Sequence, residues 1–167
     1  MVRTFWFTVV LTLMAFGSMS FTLPNSASAD RVVVEKKNRT LKLLSNGKVL
    51  KSFQIALGKN PIGRKHLQGD HKTPEGIYML DRRNERSRYY RSIHISYPSA
   101  SDRAEAAKYG ADPGGDIMIH GLPNGFGWLG AAHRKMDWTE GCIAVTDSEM
   151  DEIWEMVPDG TVIEIQP

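Results

Sequence analysis

The sequence predicts one mainly-β domain that carries two or three short helices. Short apolar runs of strand length recur along the chain, and turn residues separate them. Asn46-Gly47 lies between two such runs and is a strong hairpin signal, because both residues of that turn need a positive φ. The chain has 167 residues, of which 41% are hydrophobic and 24% charged, so it is long enough and apolar enough to bury one core.

Apolar and β-branched segments place the individual strands, and clusters of Gly and polar residues place the loops. The predicted strands are 31–35, 40–44, 49–57, 77–80, 93–97, 116–120, 143–145 and 161–165. Residues 58–72 are rich in Gly, Lys and His and are predicted to form a loop. Residues 121–141 contain five Gly, and we expect no regular structure there.

Capping signals place two helices. The first is predicted over 102–109, with Ser101 or Asp102 as its N-cap and Gly110 as its left-handed stop. The second follows the capping box at 146–149. Its apolar stripe has the spacing i, i+3, i+4 and i+7 and consists of Met150, Ile153, Trp154 and Val157.

The first 29 residues differ in composition from the rest of the chain. They hold one charged side chain, Arg3, followed by a mostly apolar run over 5–16 and by Ala27-Ser28-Ala29. This order is typical of a secretory signal peptide, so we predict cleavage after Ala29 and a domain over 30–167 in the periplasm or outside the cell. The alternative is an uncleaved anchor, but the apolar run is shorter than the ~20 residues that a spanning helix needs. After cleavage we expect no stable membrane insertion.

Composition and spacing exclude several classes of function. The 21 basic and 19 acidic side chains are too balanced for a nucleic-acid binder, and a single cysteine excludes an internal disulfide. Gly125-x-Gly127-x-x-Gly130 matches a dinucleotide-binding pattern but lacks the βαβ unit that the pattern requires. No metal-ligand spacing occurs, and His66, His71 and His94 are expected to be ordinary solvated or core-edge histidines. We therefore expect neither a metal nor another cofactor.

Cys142 is the residue that most clearly indicates chemistry. Gly141 precedes it, at the point where a Gly-rich segment meets a strand, so the adjacent amides of Gly141 and Cys142 could form an oxyanion hole. A nucleophilic thiol needs a base, and His120 at the end of a predicted strand is the best candidate. The alternative is an inert buried cysteine, and spacing along the chain does not show that the two residues meet.

At these residues the sequence resembles the L,D-transpeptidase (YkuD-like) family of bacterial cell-wall enzymes, from about Val32 to Ile165. The family pattern is a strand that ends in His-Gly, a variable loop, and Ser/Thr-x-Gly-Cys before an apolar residue. The segments that carry the resemblance are Ile119-His120-Gly121, Thr139-Glu140-Gly141-Cys142-Ile143, Thr73-Pro74-Glu75-Gly76, Tyr97-Pro98 and Pro113-Gly114-Gly115.

The resemblance implies a mixed β-sandwich-like fold with the Cys and His at one end of the sheets. It also implies that Cys142 attacks the third-position diamino acid of a peptidoglycan stem peptide, releases D-Ala, and passes the acyl group from a thioester to an amine. In that mechanism His120 moves the protons, the backbone carbonyl of Gly121 orients the imidazole, and the Gly141 and Cys142 amides hold the oxyanion. Carbapenem-type β-lactams are the implied inhibitors.

The sequence departs from the family pattern beside the cysteine. Many members have His where this chain has Glu140, and Arg or Asn where it has Ala144. These two positions shape the donor site in the family, so other residues would have to supply its contacts here. The candidate substrate-binding residues are Thr139, Arg134 and His133. Two other functions stay open: a hydrolase on the same scaffold, such as an L,D-carboxypeptidase, and a non-catalytic wall-binding module.

Overall fold

The computed structural model describes residue 1 and residues 27–167, and within them eight strands and two α-helices. The strands are β1 (Arg31–Glu35), β2 (Thr40–Ser45), β3 (Lys48–Gln54), β4 (Gly76–Ser87), β5 (Tyr90–Ile95), β6 (Met118–His120), β7 (Ile143–Ala144) and β8 (Thr161–Gln166). The helices are α1 (Ala100–Ala107) and α2 (Asp147–Met156), and a 3-10 helical segment covers Gly127–Lys135.

All eight strands belong to one mixed sheet with the order β3-β2-β1-β8-β4-β5-β6-β7. The β1–β8 and β6–β7 pairs are parallel, and the other neighbours are antiparallel. Asn46 and Gly47 have φ values of 49° and 76° and join β2 to β3, as the hairpin signal predicts. The mainly-β class with short helices is thereby confirmed.

The sheet curls until its two edges meet. Ala56, just after β3, forms an antiparallel bridge with Ala144 in β7, and each amide donates to the other's carbonyl at 2.9 Å. The curl encloses one core to which both halves of the sheet contribute, in the manner of a sandwich. Core residues from the strands include Val32, Val34, Leu41, Leu43, Ile93, Ile95, Ile119, Ile143, Ile163 and Ile165.

Helix α2 covers one side of this core next to β5 and β6. Of its predicted apolar stripe, Met150, Ile153 and Val157 are buried and Trp154 is partly buried against the core. The predicted capping box is also confirmed, because Thr146 and the side chain of Glu149 each accept from the other's backbone amide. This helix follows β7 directly and so lies next to the segment that carries Cys142.

The hairpin of β4 and β5 is longer than predicted. Strand β4 runs to Ser87 rather than ending at Leu80, and β5 begins at Tyr90 rather than at Ile93. The additional β4 residues are mostly exposed and polar on both faces, so they show no period-2 alternation of apolar residues. Pairing with β5 makes them a strand despite that pattern.

Two other local predictions were wrong. Helix α1 is capped by Ser99 rather than by Ser101 or Asp102, because Asp102 is the third helical residue of a capping box and its carboxylate accepts from the Ser99 amide at 2.8 Å. Residues 121–141 are also not wholly irregular, since they contain two short 3-10 turns that meet at Gly130, where φ is 45°. Gly110 does adopt the left-handed conformation that we expected, with φ 62°.

The predicted signal peptide lies mostly outside the described residues. Of its last three residues, Ala29 is buried and its amide donates to the carbonyl of Met156 at 2.7 Å. Cleavage after Ala29 stays a prediction. In the described part of the chain, no helix combines the length and apolar character that crossing a membrane requires.

Candidate active site

Sheet register brings the segment of Cys142 next to the end of β6. His120, the last residue of β6, pairs with Ala144 of β7 on one side and with Ser92 of β5 on the other. Cys142 directly precedes β7 and lies two residues before Ala144, the partner of His120. Cys142 and His120 line one cleft of about 520 Å³.

The His120 imidazole is held in one orientation. Its Nδ1 lies 2.7 Å from the carbonyl oxygen of Gly121, which accepts from the Nδ1–H tautomer and leaves Nε2 as a proton acceptor. The rings of Tyr89 and Trp138 lie near the imidazole, with centroids 4.6 and 5.7 Å away. Desolvation in this packed position lowers the pKa of His120 to about 4. The imidazole is therefore neutral at pH 7 and able to accept a proton.

The Cys142 thiol is also neutral at pH 7. Burial raises its pKa to about 11, and its Sγ lies 3.6 Å from the carbonyl oxygen of Asp116. A neutral thiol and a neutral imidazole in one cleft are a different resting state from a thiolate–imidazolium pair. These protonation states are compatible with general-base catalysis, in which a base takes the proton while a nucleophile attacks.

The hydroxyl of Thr139 fixes the turn that leads to Cys142. Its Oγ1 donates to the Cys142 carbonyl at 2.7 Å and accepts from the Gly141 amide at 3.1 Å. Gly141 has a φ of 131°, and a Cβ at this position would lie 2.6 Å from the carbonyl oxygen of Lys72, so only glycine fits. The Gly141 amide thus has a partner already, and an oxyanion would share it with the Thr139 hydroxyl.

The two departures from the family pattern have different environments. Glu140 lines the rim of the cleft, is exposed, and forms an ion pair with Lys59 and a hydrogen bond with Nδ1 of His71. Its hydrogen bond from Lys59 is the main cause of a lowered Glu140 pKa. Ala144 is fully buried between β6 and the bridge to Ala56, and it does not line the cleft.

The structure does not bring Arg134 or His133 to the cleft. Arg134 forms an ion pair with Glu149 in the first turn of α2. His133 is buried, and its Nδ1 accepts from Nε1 of Trp138 at 3.3 Å. Both residues therefore link the 3-10 segment to neighbouring parts of the fold, and neither lines the cleft.

The remaining wall of the cleft was not predicted. The residues that sequence reasoning missed are Asn84, Ser87, Arg88, Tyr89, Ser92, Asp116, Met118 and Trp138. Five of them lie on or between β4 and β5, beyond the predicted strand bounds, so the hairpin that carries them had no detectable signal. Within residues 27–167, no group of three or more His, Cys, Asp or Glu side chains could hold a metal ion.

A comparison with models of protein families identifies the family of this chain. The model of the L,D-transpeptidase catalytic domain, YkuD, matches residues 29–165. The chain belongs to the L,D-transpeptidase family. Among curated relatives of this family, the protein named "Putative L,D-transpeptidase YafK" of Escherichia coli (strain K12) is 32% identical over 166 residues. The match covers 90% of this chain and 59% of that relative, so the chain spans about three fifths of the relative's length.

Solved structures share the fold of this chain. The helical cell shape determining protein Pgp2 of Campylobacter jejuni is 26% identical, with a TM-score of 0.62 over 84% of this chain and 48% of that chain. Bd1075 of Bdellovibrio bacteriovorus is 23% identical, with a TM-score of 0.57 over 84% of this chain and 48% of that chain. The latter likeness is one of fold.

Proposed function

We propose that this chain is an exported cysteine acyltransferase of the L,D-transpeptidase family that acts on peptidoglycan stem peptides. The observation that carries the proposal is the shared cleft of Cys142 and His120, at the end of β6 and the start of β7, with a neutral imidazole as the available base. Membership of the family supports peptidoglycan as the substrate.

The proposed acylation replaces a carbon–nitrogen bond at one carbonyl with a carbon–sulfur bond. Cys142 Sγ bonds to the carbonyl carbon of the third-position diamino acid, and the thiol proton moves to Nε2 of His120. The carbon–nitrogen bond to D-Ala then breaks, and the imidazolium returns the proton to the leaving amine. The product is a thioester on Cys142 and free D-Ala. Amides at Gly141 and Cys142 are the proposed donors to the oxyanion.

The second half of the reaction decides between transferase and hydrolase. An amine that attacks the thioester gives its proton to His120, and the sulfur takes that proton back as the new amide forms. Water can attack in the same way and would give a trimmed stem peptide. Transfer to the amine of a neighbouring stem, which makes a cross-link, is the proposed outcome, and hydrolysis is the main rival.

The decisive experiment follows the products of purified protein and synthetic stem tetrapeptides by intact mass and chromatography. We expect a protein mass increase equal to the acyl tripeptide, release of D-Ala, and peptide dimers. Tripeptide without dimers would support the hydrolase, and no change in protein or peptide would support the wall-binding module. Cys142→Ala is the control and should show neither adduct nor product.

Acylation by a carbapenem tests the nucleophile without a natural substrate. The β-lactam carbonyl takes the place of the stem carbonyl, so the protein mass should rise by one drug molecule. The same mass increase in Cys142→Ala would assign the nucleophile to another residue.

Export has its own test. We expect the protein recovered from the cell envelope or the medium to begin at Asp30 by N-terminal sequencing. Recovery of a form that still begins at Met1 would contradict cleavage after Ala29.

A further inference from the structure

A second pocket, separate from the cleft of Cys142, opens beside the 3-10 segment. It has a volume of about 360 Å³, and apolar side chains form most of its wall: Leu122, Pro123, Phe126, Leu129, Met136 and Trp138. Neither Cys142 nor His120 lines it. Trp138 also lines the cleft of Cys142, so the two cavities are neighbours.

Large apolar side chains are exposed around this pocket. Phe126 is 51% exposed, Trp128 78% and Met136 69%. Phe126 and Met136 line the pocket, and Trp128 precedes Leu129, another lining residue. Single exposed apolar residues are ordinary, but a group of them around an apolar pocket is typical of an interaction surface. We call the pocket and these three side chains the apolar face.

The loop that carries the apolar face is anchored to the β4–β5 hairpin. The backbone and side-chain amides of Asn124 donate to the carbonyls of Arg88 and Ser87, each at 3.0 Å. The side-chain carbonyl of Asn124 accepts from the amide of Tyr90 at 2.9 Å. The polar groups of Asn124 are therefore used on the hairpin, and the apolar side chains that follow it are left toward solvent.

The pocket offers few polar groups to a ligand. Besides Trp138, its polar lining residues are His133 and Lys135. Desolvation is the main cause of a lowered His133 pKa of about 4, so the imidazole is neutral at pH 7. Its Nδ1 accepts from the Trp138 indole, and its Nε2 has no partner within residues 27–167. A peptide here would leave most of its amides and carbonyls without partners, whereas a lipid acyl chain has none to satisfy.

Positive charge accompanies the apolar face. Lys135 lines the pocket and is exposed, and Arg86 and Arg88 are exposed at the end of the hairpin that holds the loop. In the described part of the chain, none of these three side chains forms an ion pair. Glu85 opposes them at the same end, so the excess is two positive charges. Asp147 also lies nearby, but it is in the first turn of α2, whose N-terminus offsets its charge.

We infer that the apolar face docks on the surface of an anionic phospholipid membrane. Phe126, Trp128 and Met136 enter the zone between headgroups and acyl chains, where aromatic side chains are enriched. The pocket takes part of an acyl chain, and Lys135 lies against the phosphates, as in other basic amphipathic surfaces that bind anionic lipid. The docking is peripheral and stands apart from the proposed acyl transfer, since neither Cys142 nor His120 takes part. Trp138 borders both cavities, so a docked membrane lies next to the cleft of Cys142.

The experiment measures co-sedimentation of the purified protein with two kinds of vesicle, phosphatidylcholine alone and phosphatidylcholine mixed with phosphatidylglycerol. Wild type should bind the anionic vesicles at least about fivefold more tightly than the neutral ones. Trp128→Ser should weaken this binding at least about tenfold, and Lys135→Gln about fivefold, with the second effect lost at high salt. Tyr109→Ser and Lys48→Gln are the matched controls, because both residues are exposed and lie outside the apolar face.

Fluorescence gives a second readout. Lipids with brominated acyl chains should quench part of the tryptophan emission of wild type, and less of it in Trp128→Phe, which keeps an apolar ring. Equal binding to neutral and anionic vesicles, or unchanged binding by Trp128→Ser, would overturn the inference. Equal binding by all variants would do the same and would assign the lipid contact to another part of the chain. A dimer that Trp128→Ser abolishes, in a protein that binds no vesicles, would show that the apolar face joins two copies of the chain instead.

Discussion

Replacement of His120 by Gln should nearly abolish acylation of Cys142 at neutral pH. With a pKa of about 11, the unassisted thiol is ionised to about one part in 10⁴ at pH 7, roughly a hundredfold less than a thiol with the ordinary value of 9.0. A general base contributes about 10²–10⁴ in rate. We therefore expect His120→Gln to lose at least about a hundredfold in the rate of carbapenem acylation at pH 7.

The dependence of the acylation rate on pH should distinguish wild type from His120→Gln. In wild type, the rate should be nearly constant from about pH 5 to 9, because His120 is neutral above its pKa of about 4. In His120→Gln, the rate should rise with pH as hydroxide takes over deprotonation, and the defect should shrink toward pH 11.

The assay is a time course of intact mass after mixing with the carbapenem, with circular dichroism as the check on folding. His133→Gln is the matched control, because His133 is also a buried histidine with a lowered pKa but lies outside the cleft. It should stay within a few-fold of wild type. Acylation of His120→Gln at the wild-type rate at pH 7 would refute the pairing of Cys142 with His120. A wild-type profile with its midpoint near pH 6.5 would refute the buried, neutral imidazole.

Three further predictions concern stability and the turn before Cys142. The pKa of His120 is about 4 in the folded chain and 6.5 in the unfolded chain, so the unfolded chain binds more protons between pH 6.5 and 4. The free energy of unfolding should therefore fall by about 3 kcal/mol as the pH falls through that range. Urea unfolding at pH 7 and pH 4 should show a smaller loss of stability for His120→Gln than for wild type. Lys36→Met should lower the free energy of unfolding by about 3 kcal/mol, because the buried Lys36 ammonium donates to Glu75 at 2.7 Å. Lys37→Met should change it little, because Lys37 is exposed. Equal urea midpoints for the two variants would contradict this prediction. Thr139→Val should keep the fold but slow carbapenem acylation more than about tenfold, because the turn at Cys142 loses both hydrogen bonds of the Thr139 hydroxyl. An unchanged rate of acylation would show that the turn keeps its conformation without these hydrogen bonds.

Local signals in the sequence were sufficient for most of the fold. The Asn46-Gly47 turn, the capping box at Thr146 and the apolar stripe of α2 depend on neighbouring residues, and the structure confirms each of them. The length of β4 depends instead on pairing with β5, and its polar residues carry no pattern that shows this. The cap of α1 was misplaced because Ser99, Ser101 and Asp102 are all plausible cap residues, and side-chain geometry decides among them.

The sequence likewise identifies some residues of the candidate site but not how the fold brings them together. Cys142 and His120 could be singled out because few residue types supply a nucleophile and a base, and a motif surrounds each of them. Their common cleft depends on the β5–β6–β7 register, which spacing along the chain does not give. Arg134 and His133 lie close to Cys142 in sequence, but the 3-10 segment directs them toward α2 and Trp138 instead.

The meeting of the two sheet edges also bears on the order of events during folding. Strand β7 has only two residues, and its partners are β6, 24 positions earlier, and Ala56, which is 88 positions before Ala144. Contacts between residues so far apart in the chain form slowly, because closing long loops costs entropy before any pairing is gained. The bridge between Ala56 and Ala144 is therefore expected to form late in folding, as is the β1–β8 pair, in which Arg31 and Val162 lie 131 positions apart. A partly folded chain would hold Cys142 as an ordinary thiol without its proposed base, and the proposed acylating activity would develop only as the sheet closes.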